Sequence, residues 1–185
     1  LNEAVKLIEK NGLNTFRGKY HFLRGVCHLQ EGEFKLAETS LETSRAFYTA
    51  DNASEFLWLA TVRLADCFVQ QERYAEAVAA VMEVLNDTEA MKLPHIIGEA
   101  YYFIGTIATA KPQVVSEKAI VYFKHGIEAV AKEPVSETTW KLAFALAREY
   151  YERGQHDRAK EYLVKTKLIL QFFLSPKTGR KEKIS

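Results

Sequence analysis

Apolar and polar positions recur along this chain in one order, at a period near forty residues. Leu29-Gln30-Glu31-Gly32-Glu33-Phe34-Lys35-Leu36-Ala37 leads to Leu41, and Gln70-Gln71-Glu72-Arg73-Tyr74-Ala75-Glu76-Ala77 leads to Val81. Ser116-Glu117-Lys118-Ala119 leads to Phe123, and Tyr151-Glu152-Arg153-Gly154-Gln155-His156-Asp157-Arg158-Ala159 leads to Leu163. The anchoring alanines Ala37, Ala77, Ala119 and Ala159 are spaced by 40, 42 and 40 residues. Each is followed four residues later by a large apolar residue, a one-turn step on a helix. Twelve residues before three of the alanines stands a small residue, Gly25, Ala65 or Ala147. In the third unit Gly105 lies fourteen before, so two residues are inserted around Lys111-Pro112-Gln113. Leu64, Ile104 and Leu146 precede the small residue, and Phe68 and Tyr150 follow it three later. Helices whose small residues meet approach closely, and the large residues fill the space around that contact. Each unit therefore reads as a helical hairpin, with its turn at Gly32, at Gln71-Glu72 or at Gly154.

The pattern predicts a lone helix over 2–11, with Ala4 and Ile8 as its Ala/apolar pair. Hairpins are predicted over 15–31 with 33–48, 53–71 with 74–90, 94–110 with 115–131, and 135–153 with 156–174. All four prolines, Pro94, Pro112, Pro134 and Pro176, fall at predicted boundaries. Proline has no amide donor and clashes inside a helix, so this agreement is independent of the periodicity. Asp51-Asn52 and Asn86-Asp87-Thr88 supply further turn chemistry.

Small residue, aromatic, turn Gly, aromatic, Ala and large apolar residue, in this order, resemble the tetratricopeptide repeat (TPR) over residues 2 to 174. The usual TPR period is ~34 residues. The longer spacing here is similar to TPR-like arrays of bacterial regulators and kinesin light chains, and Trp58 and Trp140 are displaced to seven residues before the small residue. The resemblance implies an all-α fold, a TPR-like α-solenoid of about four helical pairs plus one N-terminal half-repeat. Residues 1–174 are the expected repeat domain and 175–185 a basic tail or linker. The unpaired first helix, and a start without Met, lead us to expect a fragment of a longer protein.

Composition agrees with a helical domain. Of 185 residues 48% are hydrophobic and 26% charged, which excludes disorder and collagen. Nine Gly and four Pro are few for an all-β protein. The net charge of +1 argues against nucleic-acid binding through bulk charge. It combines a tail of +3 (Lys177, Arg180, Lys181 and Lys183 against Glu182) with a slightly acidic body. Two cysteines make no disulfide framework, and a cytoplasmic, reducing setting is expected. No signal-peptide core is present near the start, and Leu168–Leu174 is far short of the ~20 residues of a membrane span.

Catalytic chemistry finds little support. His21 and His28 lie two turns apart with nothing nearby to complete a metal pattern, so no metal site is expected. Cys27 and Cys67 each follow their unit's small residue by two, which predicts one equivalent buried slot rather than reactive thiols. Adjacent slots of this kind are ~8–10 Å apart, too far for a disulfide. Lys177-Thr178-Gly179 lacks the Ser-x-x-Lys partner of penicillin-recognising enzymes, and Glu31/Glu33 read as turn residues on a solvated face. No phosphate-cradling loop or nucleophile elbow is present, and no cofactor is expected.

The resemblance implies that the first helix of each pair lines a concave groove. Counted from the small residue, the groove positions are Phe22, Val26 and Gln30; Val62, Asp66 and Gln70; Tyr102, Thr106 and Ala110; and Phe144, Arg148 and Glu152. Arg63, Phe103, Lys141 and Tyr151 fall at its rim or wall. Such a surface takes an extended peptide or a partner helix, with aromatics as anchors and charged groups as selectors; the alternative for each aromatic is packing against a neighbouring helix. Phe22 and Val26 stand where a carboxylate clamp needs Lys and Asn, so an acidic-tail binder is disfavoured. The expected function is a noncatalytic protein- or peptide-binding scaffold within a larger regulatory or signalling protein, bacterial by resemblance. The alternative is a structural module that self-associates through an exposed end of the solenoid. Neither reading involves direct nucleic-acid contact or a membrane span.

Overall fold

Alternating short-turn signals and 3.6-period apolar faces produce helices throughout. The computed structural model describes residues 14–50, 54–87, 90–132 and 135–174. Among them are eight α-helices and no strand. These are α1 (Asn14–Gln30), α2 (Phe34–Ala50), α3 (Ser54–Gln70), α4 (Tyr74–Leu85), α5 (Pro94–Ala110), α6 (Ala119–Ala129), α7 (Glu137–Glu152) and α8 (His156–Leu174). Single 3₁₀ turns lie at Ala90–Lys92 and Pro112–Val114. The expected helix over 2–11, Pro134 and Pro176 lie outside the described residues. None of the helices is long and apolar enough to cross a membrane, among the described residues.

The turns form as the spacing predicts. Gly32 and Gly154 adopt φ of 77° and 70°, and Glu72, in the equivalent place, adopts φ of 57°. Pro94 occupies the first turn of α5, where its missing amide leaves no bond unmade. Ser136 caps α7, its hydroxyl accepting from the Thr139 amide at 3.1 Å.

Two helices are shorter than the apolar pattern predicts. The α4 helix stops at Leu85, because Asn86 and Asp87 close it and the Asp87 carboxylate accepts from the Ala90 amide at 2.9 Å. The α6 helix begins at Ala119 rather than 115. The two inserted residues are absorbed by the turn at Pro112–Val114, after which Val115 is extended.

Successive helices pack on one another, and the odd-numbered helices also touch in sequence: α1 on α3, α3 on α5, α5 on α7. No comparable contact joins one even-numbered helix to another among the described elements. Each of α2, α4 and α6 therefore lies between its own hairpin partner and the helix that comes next. One continuous core runs between the layers, from Ala37 and Leu41 through Val62, Val81 and Ile104 to Leu142, Leu146 and Ala159.

The small residues permit the close approach. A Cβ placed on Gly25 would lie 2.7 Å from the Leu41 side chain, and one on Gly105 would collide with the Phe123 ring. The Ser44 hydroxyl adds a buried tie between α1 and α2, donating to the Gly18 carbonyl at 2.8 Å.

The paired cysteine slots come apart. Cys67 is buried, and its Sγ donates to the Phe34 carbonyl at 3.3 Å, at the start of the preceding unit's second helix. Cys27 is exposed, contrary to the core position expected of it. The start of α2 closes the slot at Cys67.

Candidate binding cleft

One face of α1 carries Phe22, Val26, Leu29 and Gln30, and one face of α3 carries Leu59, Arg63, Asp66 and Gln70. These rows repeat at three- and four-residue steps, so each lines a single helix face. Together with Gly32, Phe34, and Glu137 and Lys141 from α7, they enclose a cleft of about 740 Å³. A smaller depression of about 160 Å³ lies alongside, between α5 and α7. Tyr102, Thr106, Trp140, Phe144, Ala145 and Arg148 line it, and Lys141 belongs to both.

Of the residues expected in the groove, Phe22, Val26, Gln30, Arg63, Asp66, Gln70 and Lys141 come together in the larger cleft. Tyr102, Thr106, Phe144 and Arg148 meet in the smaller one. Five others do not join them. Ala110, exposed at the end of α5, lines neither depression. Val62 and Phe103 are buried in the core, because α3 and α5 each have a neighbour on both sides within their layer. Tyr151 is exposed and packs edge-on against His156, 5.2 Å between ring centres. Glu152 borders a separate hollow with Thr109, Lys118 and Arg153. Sequence reasoning missed Leu59, Glu137, Leu29 and Trp140. Leu59 and Glu137 lie one helical turn before Arg63 and Lys141, so extending those rows by a turn finds them.

The cleft is half apolar wall and half fixed charge. The Arg63 guanidinium donates to Glu99 at 2.8 Å across α3 and α5, and the Lys141 ammonium pairs with Glu137 at 2.6 Å. Asp66 accepts from the Gln70 amide at 3.2 Å and has no ion-pair partner among the described residues. Burial pushes its carboxyl above the ordinary aspartate value, against the opposing pull of the Gln70 hydrogen bond and of Arg63 and Lys141. Glu137 is displaced the other way, held below the usual glutamate value by its hydrogen bond to Lys141. Two carboxylates in one cleft thus differ in character, one strained by desolvation and one satisfied.

A cluster of potential metal ligands forms at the first turn, where none was expected. His28, Glu31 and Glu33 bring their ligand atoms within 4.8 Å of one another, the two acids reaching His28 from the turn around Gly32. Arg24 donates to His28 Nε2 at 3.3 Å, which leaves Nδ1 as the protonated nitrogen facing Glu33 at 2.5 Å. The trio is satisfied as a hydrogen-bonded chain with a guanidinium beside it, an arrangement that opposes a cation.

No protein-family model, no curated protein and no solved structure matches the chain. The cleft itself combines an apolar wall, fixed charges of both signs and an open approach.

Proposed function

We propose that this chain is a noncatalytic binding module of the TPR-like α-solenoid type, which holds a protein segment in the cleft between α1, α3 and α7. The observation that carries the reading is that eleven of the sixteen residues expected at the groove line two adjoining depressions that share Lys141. The layered contacts support it too: odd helices touch one another in series, with even helices outside them, as in stacked hairpins. Phe22, Val26, Leu29 and Leu59 would take apolar side chains of the partner. Arg63, Asp66 and Lys141 would select among polar ones, and an extended peptide or one face of a helix fits this chemistry. The module would serve a larger cytoplasmic regulatory or signalling protein.

The test is a selection of displayed random peptides on the intact chain, followed by binding to the Phe22→Ala/Tyr102→Ala/Phe144→Ala variant. Binding should fall at least about tenfold, since each aromatic anchor typically contributes about 1 kcal/mol or more. Circular dichroism should be unchanged, because all three side chains are partly or largely exposed. Equal binding to both proteins, or no selected peptide at all, refutes the groove assignment.

A further inference from the structure

The α8 helix carries an apolar row that the repeat pattern does not account for. Val164, Leu168 and Phe172 stand at successive four-residue steps and are 50%, 61% and 68% exposed. The equivalent outer positions of α2 are Glu42, Ala46 and Ala50, and those of α6 are Lys124 and Glu128, with Lys132 following the helix. In α4 the first is Met82, and Asn86, the next, caps the helix end. Only α8 places three large apolar side chains there, and Phe173 and Leu174 extend the exposed surface at its end. No residue of the cleft lies on α8.

This row is not the face on which another hairpin would pack. That face is marked by Leu41, Val81 and Phe123, all fully buried, whose counterpart on α8 is Leu163. Leu163 is flanked one turn to either side by exposed Lys160 and Lys167, where the earlier second helices carry Glu38 and Arg45, Val78 and Leu85, or Ile120 and Ile127, all partly buried. The row at 164–172 points away from that edge and needs a different occupant.

Charge identifies its chemistry. Residues 156–185 carry eight Lys or Arg against three Asp or Glu, whereas residues 1–155 carry seventeen against twenty-one. Lys165 and Lys167 flank the apolar row, and the sequence after Leu174 adds Lys177, Arg180, Lys181 and Lys183. A second copy docked on the same row would bring the flanking Lys165 and Lys167 of both chains to one seam. Nucleic acid would leave the apolar row without a role. An apolar strip edged by lysines and followed by further basic residues matches a helix that lies in the headgroup layer of an anionic bilayer.

We propose that the outer face of α8 is a peripheral docking surface for anionic lipid membranes. The helix lies on the bilayer rather than crossing it. Val164, Leu168 and Phe172 enter the acyl boundary while the lysines meet lipid phosphates. The cleft is on other helices and stays free for its own ligand.

Co-sedimentation of the intact chain with vesicles tests this. Vesicles of phosphatidylcholine with about 30% phosphatidylserine should bind at least roughly tenfold more protein than phosphatidylcholine alone. Binding should collapse in about 0.5 M salt, where electrostatic attraction is screened. Leu168→Gln/Phe172→Gln should lose most of the binding with unchanged charge and unchanged circular dichroism, since both positions are exposed. Lys165→Gln/Lys167→Gln should weaken it by about fivefold per lysine. Three results each overturn the proposal: no binding to the anionic vesicles, binding that survives in the Leu168/Phe172 variant, or a dimer in sedimentation equilibrium that this variant abolishes. The last would assign the row to a second copy. The groove variant Phe22→Ala/Tyr102→Ala/Phe144→Ala should bind vesicles normally, so failure of the cleft reading and failure of this one are distinguishable.

Discussion

Leu41, Val81, Phe123 and Leu163 occupy one register position, four residues past an anchoring alanine, yet they live in different environments. The first three are fully buried and the fourth is 47% exposed. Their own helices are alike at this point, and each anchoring alanine is buried. The difference comes from the next helix along the chain. The α3, α5 and α7 helices cover α2, α4 and α6, and α8 has no later helix to cover it among the described residues. Cys67 and Cys27 differ in a similar way: the start of α2 covers Cys67, whereas Cys27 is exposed. A side chain's burial in such a fold is therefore set by adjacency between units more than by its own helix.

The sharpest way to break this comparison is to truncate both kinds of position. Phe123→Ala removes a ring enclosed against Gly105 and should destabilise the fold by about 3–5 kcal/mol. Leu163→Ala removes a half-exposed side chain and should destabilise it by less than about 1 kcal/mol. Urea denaturation followed by circular dichroism measures both. Equal losses would mean that α8 is covered as the inner helices are.

Thiol chemistry makes the same distinction as a rate. Burial raises the Cys67 thiol above its ordinary pKa, the hydrogen bond with Gln71 working against that rise, so little reactive thiolate forms at neutral pH. Cys27 is open to solvent. In the native chain a maleimide should label Cys27 first, with Cys67 at least ~100-fold slower, and denaturant should bring the two rates together. Peptide mass mapping identifies the labelled residue. Equal native rates would place both cysteines in one environment, as the sequence alone suggests.

The two cysteines also show which part of the structure is legible in the sequence. The helices were readable because the Ala-to-apolar step, the small residues and the turn glycines each impose a local constraint, and the three agree. Helix ends were less readable where a side chain intervened, as when Asp87 captured the Ala90 amide and ended α4 early. The cleft was readable as rows on α1 and α3. That Lys141 of α7 joins those rows while Phe144 and Arg148 line a separate depression was not, because the division depends on helix packing angles that no single residue encodes. Glu137 and Leu59 were missed because the rows, counted from the small residue, stopped one turn short, and Val62 was placed in the groove although neighbours on both sides close over it.

Within the cleft the two displaced carboxylates predict opposite pH effects. The folded chain holds a proton on Asp66 more tightly than the unfolded chain does. Ionised Asp66 therefore weakens the fold, and stability falls as pH rises above the ordinary value of 3.8. Asp66→Asn should raise the melting temperature at pH 7 and flatten that dependence. Glu137 behaves in reverse: its contribution is present above 4.5 and disappears as pH falls through the lowered folded value. Glu137→Gln should lower stability at pH 7, by under about 1 kcal/mol because the Glu137 carboxylate is largely exposed. Thermal melts between pH 3 and 7 test both signs, and a shift of the same sign in the two variants contradicts the cleft electrostatics.

The smallest effect concerns the turns that make the hairpins possible. Gly32 and Glu72 sit forty residues apart at equivalent turn positions, and both adopt the left-handed conformation. For Glu72 that conformation brings its Cβ close to the backbone, at a cost of roughly 1–2 kcal/mol. Replacing it with glycine removes this strain but gives the unfolded chain more freedom, which takes back about 0.4–1 kcal/mol. Glu72→Gly should therefore stabilise by about 0.5 kcal/mol. Gly32→Ala should do the opposite by about 1 kcal/mol. No atom lies within 4 Å of a Cβ placed on Gly32, so its loss would be purely a backbone effect. Opposite signs in denaturation midpoints would show that the two turns are one device, filled by the fitting residue in one unit and by a strained residue in the next. A destabilising Glu72→Gly would instead mean that the Glu72 side chain contributes an interaction of its own to that turn.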